Sequence, residues 1–391
     1  MRIRAGLSLL LCVCAVVAHA VDYSGLCPYR EQKDLPSPGE LATILAGGGS
    51  VDLRSCDLSQ MDLSTYPSNF ADYADFDSKT RWPEKTKMPK GFIPQRILRE
   101  GVNPGLGVRA LHARGITGRG VGLAIIDQPL LTGHQEYARR LKFYENQDAT
   151  TWEESMHGAA VASIAVGQTV GVAPEADLYY ISAEFRMDKK SRIFNALPVS
   201  KALNKIYQIN ENLPDTKKIR VVSISRGFSE EDAGAEDFEE AKARLEAAGV
   251  AVFSTDSSLF TLSRACSSCP ADDNASYTRG AYWFSEQDLA HYGQMDYVLF
   301  PTDYRVTAAP NGNGDYVSYV NGGLSWAVPY AAGLYALAAQ VYPPLTPELF
   351  WQTARETAVA ATVKTPQGKT YSAKYLVQPQ RLIKKLQNMK Q

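Results

Sequence analysis

Three residues of this 391-residue chain combine a reactive side chain with a context that suits nucleophilic chemistry. Asp127 ends an apolar run, His157 begins an Ala-rich stretch, and Ser325 follows the pair Gly322-Gly323. A serine hydroxyl is a poor nucleophile until an imidazole takes its proton, and that imidazole needs a carboxylate to hold its tautomer. Singly, the three residues are a strand-end acid, a helix-start histidine and a helix cap. Together they predict a nucleophilic catalytic site.

The elements that must hold these residues are predicted from the hydrophobic pattern. Continuous apolar runs, typical of strands buried on both faces, occupy residues 120–127, 176–183, 219–225 and 250–255. Helical spacing of apolar and small residues occupies 157–167, 232–248 and 325–341. Such strands alternating with helices predict an α/β fold, with a parallel β-sheet flanked by helices on both faces. Ligands of these sheets bind beyond the carboxyl ends of the strands, where Asp127 and Ser225 lie.

The sequence around the candidate residues also forms recognisable motifs. Residues 157–162 read His-Gly-Ala-Ala-Val-Ala, and residues 323–329 read Gly-Leu-Ser-Trp-Ala-Val-Pro. The first is similar to His-Gly-Thr-His-Val-Ala-Gly and the second to Gly-Thr-Ser-Met-Ala-Ala-Pro, both motifs of subtilisin-like serine peptidases. Residues 171–174 add the Gly-Val-Ala-Pro of the same family. In the order Asp, His, Ser, the chain therefore resembles a subtilisin-like peptidase over about residues 118 to 342.

This resemblance implies a subtilisin-like three-layer sandwich and a secreted serine endopeptidase. Asp127, His157 and Ser325 are then the catalytic triad, and a polypeptide substrate is cleaved through an acyl-enzyme intermediate. No cofactor is required and no metal ligand is predicted, although the family allows a structural calcium ion that this sequence does not place. The competing interpretation is a catalytically weak or inactive subtilase-fold binding protein, because a fold alone does not confer activity. An esterase is disfavoured because the Gly-x-Ser-x-Gly motif is missing around the serine.

The resemblance also implies a substrate cleft beside the strand that ends near residue 225. Ser225 and Gly227 correspond to the cleft wall, whose backbone pairs with an extended substrate. Arg226 replaces an apolar residue of that wall. If its side chain faces the cleft, an acidic or polar substrate side chain is favoured; the alternative is that it faces solvent.

One aligned position departs from the chemistry of the family. Asp256 stands where the family has an asparagine that donates a hydrogen bond to the oxyanion, and an ionised carboxylate cannot donate. Three alternatives remain open. Asp256 is protonated and donates as an acid; a neighbour among residues 254, 255 and 257 donates instead; or the alignment is shifted and a more distant group such as Asn274 takes the role.

The termini and composition predict how the chain is organised. Residues 1–20 have a positive start, an apolar centre and Ala18-His19-Ala20, which predict a cleaved signal peptide and a secreted or periplasmic protein. Residues 21–95 are predicted to be a prosegment or an accessory segment, 96–360 the peptidase domain, and 361–391 a tail packed on that domain. No other stretch approaches about 18 apolar residues, so no membrane anchor is expected.

Charge and cysteine content limit the partners further. The net charge of -1 does not favour a nucleic-acid partner, and the oligomeric state cannot be read from the sequence.

Four cysteines follow the predicted signal peptide: Cys27, Cys56, Cys266 and Cys269. In an oxidising compartment they are expected to form the bridges 266–269 and 27–56. A zinc site and free thiols are the alternatives, the first disfavoured because only one pair is closely spaced.

Overall fold

The computed structural model describes residues 30–31, 37, 39–40, 43–44, 50–147, 156–184, 194–278, 295–364 and 369–389. The predicted signal peptide and Cys27 lie outside these residues, so cleavage at residue 20 and the 27–56 bridge stay predictions. The helices are α1 (Pro94–Glu100), α2 (Val108–His112), α3 (Met156–Val166), α4 (Leu197–Glu211), α5 (Ala235–Ala247), α6 (Leu324–Val341), α7 (Pro347–Thr357) and α8 (Pro379–Met389).

The strands form several sheets and range from two to seven residues in length. They are β1 (Arg30–Glu31), β2 (Val51–Asp52), β3 (Cys56–Asp57), β4 (Ala74–Asp77), β5 (Gly122–Asp127), β6 (Leu141–Asn146), β7 (Asp177–Ser182), β8 (Ile219–Ile224), β9 (Ala251–Phe253), β10 (Leu259–Arg264), β11 (Tyr277–Thr278), β12 (Val298–Pro301), β13 (Arg305–Ala308), β14 (Tyr316–Tyr319), β15 (Val359–Lys364) and β16 (Thr370–Leu376).

The central sheet has the strand order β6-β7-β5-β8-β9, and all its neighbouring strands are parallel. Side chains alternate across it, as a pleated strand requires. In β5, Leu123 and Ile125 face the core that contains α3 and α6. Ala124 and Ile126 face the opposite core, which contains α4 and α5. The predicted α/β fold, a parallel sheet between two helical layers, is confirmed.

A second five-stranded sheet, β11-β10-β12-β16-β15, extends the core towards the C-terminus. The hairpin of β15 and β16 crosses the boundary at residue 360 that the sequence predicts. The following helix α8 buries Leu382, Ile383 and Leu386, an i, i+1, i+4 pattern that covers one helical face. Residues beyond 360 therefore contribute a strand and a buried helix to the same core.

A four-stranded sheet joins the N-terminal region to the rest of the chain, in the order β13-β14-β4-β2. β4 pairs antiparallel with β14, so that Val317 lies opposite Asp77 and Ser318 opposite Phe76. Residues 50–92 also enclose a small core of their own, in which Phe70, Phe76, Trp82 and Phe92 make edge-to-face ring contacts. Such aromatic contacts are favourable beyond the area that they bury.

Candidate active site

Asp127 is the last residue of β5 and lies at the carboxyl edge of the central sheet. β5 and β8 pair in parallel, which brings Ser225 level with Asp127 at the end of the adjacent strand. The Asp127 carboxylate is 2% exposed, and its Oδ1 accepts a hydrogen bond from the backbone N–H of Gln128 at 2.8 Å. A buried carboxylate is costly unless further donors reach it. The second donor is His157.

His157 is the second residue of α3, and its Nδ1 lies 2.6 Å from Asp127 Oδ1. This contact holds the proton of the neutral imidazole on Nδ1, because the carboxylate can only accept. Nε2 is then left as the basic nitrogen. The imidazole is partly exposed, whereas the carboxylate behind it is buried. The pair has the arrangement that a general base and its orienting acid require.

Gly158 explains why α3 can approach the strand end so closely. A Cβ at this position would lie 2.7 Å from the carbonyl oxygen of Gln128 and 2.7 Å from the hydroxyl oxygen of Tyr180. The hydroxyl of Tyr180 in turn donates to that carbonyl of Gln128. Any larger residue after the histidine would push the helix away and lengthen the contact to Asp127. The His-Gly pair in the sequence is therefore a packing signal as well as a chemical one.

Ser325 is the second residue of α6, and its segment is locked to the end of β8. The hydroxyl of Ser225 donates to the carbonyl oxygen of Ser325 at 2.8 Å, and Ser325 Oγ lies 3.4 Å from the carbonyl oxygen of Ser225. Pro329 lies inside α6, where its missing N–H leaves the carbonyl four residues earlier without a helical donor. That carbonyl belongs to Ser325. The Ser225 hydroxyl supplies the missing donor.

The predicted cleft wall has an unexpected charge pattern. The guanidinium carbon of Arg226 lies 3.3 Å from the ring centroid of Phe194, so the cation stacks on an aromatic face. The Asp256 carboxyl lies against Gly227, where a Cβ would be 1.9 Å from its Oδ2. The backbone N–H of Phe228 donates to the same carboxyl. Gly227 is therefore the residue that makes room for Asp256.

The pKa of the Asp256 carboxyl is raised by partial desolvation, while the Phe228 N–H and the Arg226 charge oppose that rise. Its neighbours are engaged in a tight turn. The backbone N–H of Asp256 donates to Ser254 Oγ at 3.2 Å, and the backbone N–H of Ser254 donates to Ser257 Oγ at 3.0 Å.

Asn274, the more distant candidate for the oxyanion role, lies in a different setting. Its side-chain oxygen accepts from the amide of Gln378 at 3.0 Å, and its own amide donates back at 3.3 Å. Gln378 immediately precedes α8. This reciprocal amide pair ties Asn274 to the C-terminal helix, whereas Asp256 lies against the predicted cleft wall.

Comparison with known proteins assigns the family. The subtilase family model matches residues 118–375, a span that contains Asp127, His157 and Ser325. The chain belongs to the subtilase family. This subtilase is 38% identical over 88 residues to the subtilisin-like protease PopC of Myxococcus xanthus, an alignment that covers 19% of this chain and 18% of PopC. It also resembles the solved structure of the prenylagaramide maturation protease PagA, with a TM-score of 0.49 and 18% identity over 72% of this chain and 98% of that one.

The subtilase family is a family of serine peptidases, and the alignment with PopC spans only 18% of that relative's length. In the part of the chain that the structure describes, no helix has the length and apolar character to span a bilayer. Within the same residues, no three His, Cys, Asp or Glu side chains come together in a group that could hold a metal ion.

Two of the four predicted bridging cysteines are joined in the structure. Cys266 and Cys269 form a disulfide with their Cα atoms 5.2 Å apart, which agrees with the short spacing of the pair. Cys56 is buried in the N-terminal region, and its predicted partner lies outside the described residues.

Several contacts at the site could not be read from the sequence. Phe194 lies some thirty residues before Arg226 in the chain, and no motif marks it as the partner of that cation. The Ser225 hydroxyl had one usable signal, namely Pro329 four residues after the serine that it supports. Proline in a helix implies that a carbonyl needs another donor, but only the fold shows which residue provides it.

Proposed function

We propose that this subtilase is a secreted serine endopeptidase that uses Asp127, His157 and Ser325 as its catalytic triad. The observation that carries the proposal is the 2.6 Å contact between His157 Nδ1 and the buried Asp127 carboxylate. It leaves Nε2 as a base at the same sheet edge to which the Ser225 contacts hold Ser325.

In the proposed mechanism, His157 Nε2 takes the proton of Ser325 Oγ as that oxygen attacks the substrate carbonyl carbon. Asp127 stabilises the imidazolium, which then donates its proton to the departing amine as the C–N bond breaks. Water, deprotonated by the same imidazole, attacks the acyl carbon; the imidazolium then returns that proton to Ser325 Oγ as the ester C–O bond breaks and the acid is released. The side chains of this protein supply every proton transfer. The start of α6 contributes backbone amides and the positive end of its dipole to the oxyanion.

The substrate is proposed to lie along residues 225–227, with its backbone paired to theirs. In this arrangement Arg226 is held by Phe194, and the Asp256 carboxyl forms part of the wall. The acidic group favours a basic substrate side chain over an acidic one, because opposite charges attract in a partly desolvated cleft. This reverses the preference that Arg226 alone suggests.

Secretion is proposed from residues 1–20 and is supported by the Cys266–Cys269 disulfide, since such bridges persist in oxidising compartments. Intact-mass analysis of secreted protein tests it: a chain whose first residue is Val21 or later supports export. Recovery of the full chain with Met1 in the cytoplasm contradicts it.

The catalytic proposal is tested with a fluorophosphonate probe, which phosphonylates an activated serine. Wild-type protein is expected to react at Ser325, as mapped by peptide mass spectrometry, and Ser325→Ala is not. The matched control is Ser229→Ala, which changes an exposed serine of a turn after the cleft wall. Folded wild type that neither labels nor cleaves a denatured protein substrate would support the inactive binding protein instead. Release of single terminal residues without internal cleavage would contradict an endopeptidase.

A further inference from the structure

The segment that precedes Ser325 is held from two sides by buried carboxylates. The backbone N–H of Gly322 donates to Asp303 Oδ1 at 2.9 Å. The backbone N–H of Val320 donates to Asp75 Oδ1 at 2.7 Å. Asp303 belongs to the peptidase domain, but Asp75 belongs to the N-terminal region, 245 residues earlier in the chain. Both carboxylates are less than a tenth exposed.

We infer that residues 50–92 remain part of the active peptidase, as a layer in which Asp75 is a positioning residue for Ser325. The inference rests on the proposed function of Ser325. It goes beyond that function because it assigns a catalytic contribution to a region that the sequence assigns equally well to a prosegment removed after folding. The layer is defined here as residues 50–92.

The layer shares a β-sheet with the peptidase domain. Its strand β4 is an interior strand of a mixed sheet, with β14 of the domain on one side and β2 of the layer on the other. Removal of the layer would expose an unpaired edge along β14, a liability that proteins avoid. It would also uncover the Asp77 network, in which the Asn311 amide of the domain donates to Asp77 Oδ2 at 3.0 Å.

A series of contacts runs from the layer to Trp326, the residue that follows Ser325 in the sequence. Arg54 is 1% exposed and forms a bidentate ion pair with Asp52, at 2.7 and 2.9 Å. Its remaining nitrogen donates to the Tyr319 hydroxyl at 3.2 Å. The Tyr319 ring packs edge-to-face on Trp326, with ring centroids 5.0 Å apart. Arg54 thus supports a side chain that is adjacent in sequence to the nucleophile.

The segment that precedes Ser325 is closely packed at Gly322. A Cβ on Gly322 would lie 2.2 Å from the carbonyl oxygen of Thr302 and 2.4 Å from the Trp326 ring. Gly323 has φ of +70°, in the region that favours glycine. A glycine pair has many conformations available unless contacts select one. The Asp75 and Asp303 acceptors select it, and α6 begins at the following residue.

The proposal is tested by comparing Asp75→Leu, which removes the acceptor, with Asp75→Asn, which keeps an oxygen for the Val320 N–H. Asp75→Leu is expected to lower kcat by about 10²-fold with little change in KM, since small displacements of a reacting group cost that much. Asp75→Asn should restore most of kcat. The control is Asp62→Leu, an exposed acid of the same layer whose Oδ1 accepts a local turn N–H, from Ser64. Equal kcat values for Asp75→Leu and Asp62→Leu would overturn the positioning role.

Two measurements separate this inference from the proposed function, and the first does not depend on the Leu variant being soluble. The first is the N-terminus of the molecules that react with the fluorophosphonate. Labelled chains that begin before residue 50 support a retained layer, and labelled chains that begin after residue 92 overturn it. The second is hydrogen exchange of the peptide that contains residues 320–325, compared between wild type and Asp75→Asn or Asp75→Leu in the Ser325→Ala background. Faster exchange in Asp75→Leu than in Asp62→Leu is expected even if Ser325 has no activity; unchanged exchange contradicts the inference alone.

Discussion

Replacing Asp75 by Asn should change how the stability of the protein depends on pH. Asp75 is buried between the layer and the domain, and desolvation raises the pKa of its carboxyl from 3.8 to about 6. The charged groups that face it are Arg54, which lowers the pKa, and Asp52, which raises it. Hydrogen bonds from the Val320 N–H and the Ser50 hydroxyl also lower it. Desolvation is the largest of these effects.

The pH-dependent contribution of Asp75 to stability follows from the difference between its pKa in the folded and the unfolded chain. A carboxyl whose folded pKa is raised binds its proton more tightly in the folded protein than in the unfolded chain. Its contribution to stability is therefore full below pH 4 and is lost as the pH rises through 6. A rise of about two pH units corresponds to about 3 kcal/mol of the free energy of unfolding. Asparagine does not titrate, so Asp75→Asn lacks this loss.

The assay is urea unfolding, followed by tryptophan fluorescence, at several pH values between 4 and 7. Both proteins carry Ser325→Ala to prevent self-digestion, and other titrating groups cancel in their difference. The variant should match the wild type near pH 4 and become more stable by up to about 3 kcal/mol near pH 7. The control Asp62→Asn removes a carboxyl whose pKa is lowered by hydrogen bonds with Ser64, so it should show no such change above pH 4. Parallel curves for Asp75→Asn and the wild type would refute the reasoning.

Other substitutions test the site itself. His157→Ala, Ser325→Ala and their double variant should each lose nearly all turnover by about the same factor, since a triad acts as a unit; losses that multiply in steady-state assays would contradict a shared step. Asp127→Asn should lower kcat by about 10⁴-fold by holding the wrong imidazole tautomer, with an unchanged far-ultraviolet spectrum as the check. Gly158→Ala should lower kcat and the melting temperature together, because its methyl group would meet two backbone carbonyls and a hydroxyl. Asp256→Asn should raise kcat/KM most at the high end of the pH range, where the ionised fraction of the carboxyl is largest and opposes the oxyanion; identical pH profiles would remove Asp256 from that role.

The sequence was most informative where local pattern and chemistry coincide. The apolar runs that end at Asp127 and Ser225 predicted central strands, and the structure has β5 and β8 there, in parallel. The helix that begins beside His157 was also predicted, because apolar and small residues recur there at helical spacing. These features depend on neighbouring residues in the chain, so a single sequence is enough to find them.

The sequence could not specify contacts between residues that are distant in the chain. Residues 21–95 show little hydrophobic periodicity, so the sequence left open whether they form a prosegment or an accessory segment. In the structure, residues 51–52 and 74–77 of this region form strands. Short strands of this kind are recognised by what they pair with, and β4 pairs with β14 more than two hundred residues later. The same holds for Arg226, whose cation stacks on Phe194, a partner that no motif in the sequence marks.

The sequence by itself therefore determined the class of fold, the order of the candidate triad and the strand end at which Asp127 lies. Each of these follows from hydrophobic periodicity and from short motifs. Only the tertiary structure decided that Ser225 supplies the donor for the Ser325 carbonyl, that Gly227 admits the Asp256 carboxyl, and that Asp75 holds the segment before the nucleophile. The physical reason is that a hydrogen bond or a packing contact depends on the positions of two groups in space, and for these pairs the fold alone brings the groups together.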